Sequence, residues 1–316
     1  MRPRRLLPPA AVTTAALLTL SGCLTVHGER TSKAAVTRPE ARRILADFTA
    51  QNNRANRSVD PALNREIETG ALGAIDQAGL KADRRKSPDG KPDYTPLEFS
   101  DSRFLIPKQT GWPKWFVTDT ATNRDRNRWF LVFLRTGEQA RWKAVYLSIL
   151  TPGEVPHLAR DKDGYVQAVP PGPASRLLVP PRRLSAAYTT YLQSGGTKQA
   201  KAFAPGPHTT QWLKERKANE RTAQFVTQFQ DQPTPEFRPV ALRTKDGGAL
   251  AFFGSRHHAR QTVGQGRTFS LSPDLKAMVT GPQPKRSVTV QRVSEQAVLV
   301  PKKSAPGNGI EFLNRI

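Results

Sequence analysis

The spacing of apolar residues changes from helical to alternating and back as the chain proceeds. Ala41, Ile44, Leu45 and Phe48 recur at helical spacing, with Arg42, Arg43 and Asp47 on the opposite face. Thr37 supplies an N-cap, Pro39 suits the first helical turn, and Glu40 favours a helix amino end. A polar break at residues 52–56 is followed by Asp60-Pro61, a second cap and proline. Leu63, Ile67, Leu72, Ile75 and Leu80 then continue the helical period, interrupted by Gly70 and Gly73, and a loop follows over residues 84–93. From Tyr94 the pattern alternates through Leu97 and Phe99, Phe104 and Ile106, and Trp115 and Val117. Residues 129–134, wholly apolar, and residues 142–150 are the strongest strands, joined as a hairpin through Gly137-Glu138.

Seven prolines between residues 151 and 181 predict an interdomain linker, with short strands at 166–169 and 177–179 available to either side. The helices-then-strands plan then repeats. Leu184, Ala187, Tyr188, Tyr191 and Leu192 keep helical spacing up to Gly195-Gly196. A second helical run is predicted over 209–230, carrying Trp212, Leu213, Phe225, Val226 and Phe229 and closed by Pro233 and Pro235. Strands follow at 240–242 and 249–253, joined by a Lys-Asp-Gly-Gly turn at 245–248, and then at 275–279, 288–293 and 297–300. The predicted class is α+β: a first domain over 39–150, the linker over 151–181, a second domain over 182–303 and a tail over 304–316. The two halves share a layout, while sequence identity between them is weak.

The amino end has a different character. Arg2, Arg4 and Arg5 precede an uncharged run from Leu6 to Leu20, too short for a comfortable membrane span and typical of a secretory signal. Leu20-Ser21-Gly22-Cys23 resembles the lipobox of bacterial lipoproteins. The resemblance implies a signal peptide over 1–22, cleavage after Gly22, lipid on the Cys23 thiol and acylation of the new amino terminus. It implies attachment to the cell membrane on its extracytoplasmic face. Residues 23–38, polar and basic beyond Cys23, read as a flexible tether. Cys23 is the single cysteine, so no thiol remains for a disulfide, a zinc site or a nucleophile.

Charge adds a partner class. The formal charge is +23, and loss of Arg2, Arg4 and Arg5 with the signal leaves +20. Arginine exceeds lysine and Ala, Pro and Gly are plentiful, so part of this excess follows from GC-rich coding. The remainder attracts anionic lipid or cell-wall polymer. Nucleic acid is not expected as a partner of an exported chain.

Candidate chemistry is sparse. No Gly-x-Ser-x-Gly elbow, Walker loop or Gly-x-Gly-x-x-Gly fingerprint occurs, and no cofactor is expected. His27 falls in the tether, His157 in the linker and His208 in a Pro-flanked loop. His257 and His258 point to opposite sides of an extended segment and read as part of a solvated hairpin tip at 256–260. Neither a metal set nor a catalytic triad emerges from these spacings. Asp119, the one carboxylate within a strand pattern, reads as exposed. Trp112, Trp115, Trp129 and Trp142 read as core more than as a stacking surface, with Trp112 exposed beside Pro113. Cys23 is thus the only residue to which the sequence assigns chemistry.

Each half resembles the cystatin-like, or nuclear-transport-factor-2-like, cone of helices on a curved antiparallel sheet, on its element order and Trp-rich strand pair. The whole is similar to actinobacterial lipoproteins of unknown function with such domains in tandem. Another α+β fold with the same element order fits the first half as well. The resemblance covers most of 39–303 and implies a hollow able to host ligands or acid–base chemistry. Two functions follow: a non-enzymatic binding or envelope-assembly module with a basic surface, or a hydrolase or isomerase using a cone pocket. The lack of a carboxylate–His pair near the strong strands favours the first.

Overall fold

Two antiparallel sheets lie face to face, and helices cover the outer face of each. The computed structural model describes residues 32–268, 270–279 and 281–316. The expected signal peptide, Cys23, His27 and most of the expected tether lie outside them. In chain order the first half comprises β1 (Lys33–Ala34), α1 (Arg38–Ser58), α2 (Pro61–Ile67), α3 (Gly70–Lys86), β2 (Phe99–Leu105), β3 (Lys108–Gln109), β4 (Lys114–Thr122), β5 (Arg128–Arg135) and β6 (Lys143–Leu150). The second half comprises α4 (Leu184–Gln193), α5 (Trp212–Asn219), β7 (Phe225–Pro233), β8 (Val240–Arg243), β9 (Ala249–Val263), α6 (Pro273–Met278), β10 (Ser287–Val300) and β11 (Glu311–Arg315). One large sheet runs β2-β4-β5-β6 and a second runs β11-β10-β9-β7, with β8 also paired to β9, while β1 and β3 form a separate two-stranded pair. The fold is α+β, with curved antiparallel sheets.

Local signals set the first helices. Thr37 accepts the Glu40 N–H, and Asp60 caps α2 through the Ala62 and Leu63 N–H groups. Gly70, at φ +66°, opens α3 with backbone that other residues adopt at a cost. The polar stretch at 52–56 does not break α1. Asn53 Oδ1 instead accepts the Leu97 N–H at 2.7 Å while its Nδ2 donates to the Leu97 carbonyl at 2.9 Å, tying the helix to the chain entering the first sheet.

The continuous apolar runs explain the layers. On β5, Leu131 and Phe133 face α1, packing with Leu45, Phe48 and Phe116, and the Phe116 and Phe133 rings stack at 5.1 Å. Phe130, Val132 and Leu134 face the other way, into a cluster with Val240, Leu250, Phe252 and Ala297 of the second sheet. On β9, Leu250 and Phe252 face the first sheet, whereas Ala251 and Phe253 meet Tyr188 and Tyr191 of α4. A strand buried on both faces has no polar side and loses its alternation.

This packing changes the expected domain plan. Residues 32–316 form one compact unit, because the central core draws on both halves. Residues 151–181 run along the second sheet: Val169 N–H donates to Ala241 O at 2.9 Å and Leu178 N–H to Pro301 O at 2.9 Å, with Val166 and Leu177 buried. Prolines fit there because an edge segment needs only some of its N–H groups for pairing. The expected tail at 304–316 contributes buried Ile310 and strand β11, and strand β1 falls within the expected tether.

Two further expectations change. Only residues 212–219 of the 209–230 run form α-helix α5, preceded by a π turn at Pro207–Gln211, and residues 225–233 are strand β7. Phe225 and Phe229 stand four apart, a spacing that shares a face in a strand as well as in a helix. Residues 275–279 fall largely in α6, which Ser272 caps by accepting the Leu275 N–H.

Candidate functional site

Three adjacent strands of the second sheet bring polar side chains to one place. Asp231 on β7 lies opposite His257 on β9, and Ser255 on β9 lies opposite Ser294 on β10. Ser255 and His257 are two apart and share the face turned toward α4 and α5. His257 Nδ1 stands 2.6 Å from Asp231 Oδ1, and His257 Nε2 stands 2.8 Å from Ser255 Oγ and 2.9 Å from Ser294 Oγ. Arg216 of α5 closes the arrangement from above. Its Nη1 and Nη2 donate to the two Asp231 oxygens at 2.7 and 2.8 Å, and its guanidinium lies over the Trp212 and Phe229 rings.

The electrostatics assign the protons. Burial pushes the Asp231 carboxyl up, but hydrogen bonds from His257 and Arg216 and the charge of Arg216 hold it below its ordinary value. Burial pushes His257 down, with Arg315 and Arg216 adding to the effect and Asp231 opposing it. A neutral His257 therefore donates from Nδ1 to Asp231 and accepts a serine hydroxyl at Nε2. Gln296 Nε2 donates to Ser255 Oγ at 2.8 Å, and Arg315 Nε donates to Ser294 Oγ at 3.3 Å.

The expected solvated tip at 256–260 is therefore mid-strand, and His257 is 6% exposed. The order Asp–His–Ser has the connectivity of an acyl-transfer triad. A working triad also needs a free hydroxyl, room for a carbonyl and donors for an oxyanion. Here Ser255 is 0% exposed and its oxygen already meets three polar partners. The arrangement is a sealed polar seam holding α5 to the sheet.

A second buried group lies on the opposite face of β10. Glu295 and Glu68 are buried, with Asp76 of α3 nearby, and Glu295 Oε2 accepts the Leu147 N–H of β6 at 3.1 Å. Burial, and then the Asp76 charge, push Glu68 up to about 9; burial also raises Asp76 and carries Glu295 well above its ordinary value. Glu68 therefore holds its proton at neutral pH.

Asp119, expected exposed, is buried and bonded to Arg128 Nε at 2.5 Å. Arg128 reaches it from the neighbouring strand and also meets Asp101 at 2.9 Å. Asp119 lines a cleft of about 800 Å³ with Arg103, exposed His157, Arg160 and Lys245. His208 is half-buried beside Phe312, and burial lowers its pKa. Trp115 is buried and Trp112 is 45% exposed, with Arg135 over its ring. Among the described residues no three His, Cys, Asp or Glu side chains converge as metal ligands, and no helix is long and apolar enough to cross a membrane.

The seam left one trace in the sequence, a Ser and a His two apart in Ser255-Arg256-His257. Its other members come from strands that local spacing did not align.

The chain is 44% identical to an uncharacterized lipoprotein of Streptomyces avermitilis, covering 96% of this chain and 90% of that protein. It is 44% identical to an uncharacterized lipoprotein of Streptomyces coelicolor, covering 95% and 92%. A second lipoprotein of that organism, also uncharacterized, is 27% identical over 98% of this chain and 92% of its own length. No solved structure matches. The model of DUF8094, a domain of unknown function, matches residues 32–313, and the chain belongs to that family.

Proposed function

We propose that the chain is a lipoprotein held through lipid on Cys23 at the extracytoplasmic face of the cell membrane, where it acts as a non-enzymatic binding or envelope-assembly module. The observation that carries the anchor is Leu20-Ser21-Gly22-Cys23 behind a cationic, then apolar, leader. Relatives that align along nearly their whole length are named lipoproteins, which supports it. Helices preceding an antiparallel sheet in each half support two cystatin-like or nuclear-transport-factor-2-like units, packed sheet to sheet. Binding is favoured over catalysis because the one Asp–His–Ser arrangement among the described residues is closed and its hydroxyls are engaged. The mature charge of +20 adds long-range attraction to anionic head groups or wall polymer.

Cys23→Ala tests the anchor. The variant is expected to stay unlipidated, with the leader uncleaved at Gly22, as intact mass would show. Membrane extraction and mass identical to the parent's would sink the assignment. The soluble domains, prepared without the leader, are expected to be retained on phosphatidylglycerol vesicles at low salt and released as salt rises. No retention at low salt would remove charge as a functional argument.

The hydrolase reading keeps one supporting observation, the His257 contacts to Ser255 and Ser294. A serine-reactive fluorophosphonate is expected to leave the parent unlabelled; stoichiometric labelling lost in Ser255→Ala or Ser294→Ala would reverse the order of the two readings.

A further inference from the structure

The connection between β9 and β10 folds back against α3. Arg85 Nη1 donates to the Ala277 and Val279 carbonyls at 2.6 and 2.9 Å, and Lys86 Nζ reaches Asp274 Oδ1 at 2.8 Å. Between α3, α6 and β10 this leaves an open groove of about 530 Å³. Ala78 and Ala82 form one wall, Leu275 and Met278 a second, and Val288 and Val290 the third. Met278 is 50% exposed. Lys81 and Arg85 are the only charged residues in the lining, which contains no carboxylate.

We propose that this groove binds the acyl chain of an anionic amphiphile, with the chain along the apolar walls and the head group at Lys81. The groove is concave and mostly apolar with a basic rim, the form that small-ligand sites take. The volume falls within the range of sites that enclose small ligands. Methionine adapts its shape to flexible apolar partners, which suits a hydrocarbon chain. Charge decides the head group. Arg85 is committed to two carbonyls, whereas Lys81 has no carboxylate partner among the described residues. A cationic amphiphile would meet two positive charges and nothing negative. The proposal rests on the reading of the chain as membrane-held, since a membrane supplies such molecules.

The test uses the mature-length chain from residue 24, free of lipid, titrated with cis-parinaric acid and with its methyl ester. Saturable fluorescence is expected with the acid. Ala78 is exposed on the groove wall, so Ala78→Trp fills the space without entering the core and is expected to weaken uptake about tenfold or more. Met278→Asp, also at an exposed position, is a second block that does not depend on the first variant's folding. Lys81→Glu is expected to weaken the acid while leaving the ester unchanged. Competition by palmitate and by lysophosphatidylglycerol distinguishes a free fatty acid from a membrane lipid as the source. Absence of saturable uptake, or uptake that neither blocking variant alters, overturns the proposal. Loss of the Cys23 anchor reading would leave these titrations unchanged, so the two failures are distinguishable.

Discussion

Asp231→Ala is expected to destabilise the fold by about 3–5 kcal/mol, the range seen when one partner of a buried ion pair is removed. Arg216 would keep its charge with its side chain only 8% exposed and no carboxylate to meet it. Its guanidinium lies over Trp212 at 5.2 Å and Phe229 at 4.9 Å, so it cannot swing to water without opening α5. His257 would lose the acceptor of its Nδ1 proton, and both serines would lose the ring orientation they bond to. Asp231→Asn keeps the shape and one acceptor oxygen and should cost less. Urea denaturation with an unchanged slope would read the difference as a shifted midpoint.

The pH dependence follows from the same contacts. The Asp231 carboxyl is held below 3.8, so its contribution is present above that value and is lost as pH falls through the folded pKa. His257 is held below 6.5, so the unfolded chain takes up a proton that the fold refuses, and stability begins to fall as pH drops past 6.5. Parent and Asp231→Ala should therefore converge in strong acid. A cost under about 1 kcal/mol at neutral pH would mean that the seam does not hold α5 in place.

Caps and periods identified most first-half elements because their determinants are local. Thr37, Asp60 and Gly70 act within one turn of their own positions, and the 129–134 and 142–150 strands meet as sequence neighbours. What covers each sheet is not local. The unbroken apolar runs at 129–134 and 249–253 signal strands buried on both faces, yet neither run names the other as its cover. Each half taken alone therefore predicts its own module, with a linker between, where the molecule has one shared core. Asp119 looked exposed because an isolated strand carboxylate usually is; Arg128, on the next strand, makes burial affordable. The seam required Phe225 and Phe229 to be placed on a strand, and once β7 is extended, register alone sets Asp231 opposite His257. Glu68, Asp76 and Glu295 carried no pattern at all, being joined only by the approach of α3 to β10.

Those carboxyls give the second large effect. Glu68→Gln is expected to raise stability at neutral pH and to leave it unchanged or slightly lower near pH 4.5. The Glu68 carboxyl is pushed up to about 9 by burial first and the Asp76 charge second, from an ordinary 4.5. The folded chain therefore keeps a proton that the unfolded chain releases, and stability falls as pH rises from 4.5 toward 9. The slope is about 1.4 kcal/mol per pH unit for one such group, which amounts to about 3 kcal/mol at pH 7. Glutamine fills the same volume, stays neutral in both states and carries no such linkage. In a fold of this size the difference corresponds to a rise of about 5–10 °C in Tm at pH 7. Glu295→Gln should act in the same direction, because its retained amide oxygen can still accept the Leu147 N–H. Groups that could compensate are few: Asn64 and Asp76 face Glu68 from the helices, and the Leu147 N–H faces Glu295 from β6. Thermal melts from pH 4.5 to 9 should show the parent declining while the double variant stays flatter. Parallel curves would mean that the carboxyls are already ionised in the fold and that α3 meets β10 without their protons.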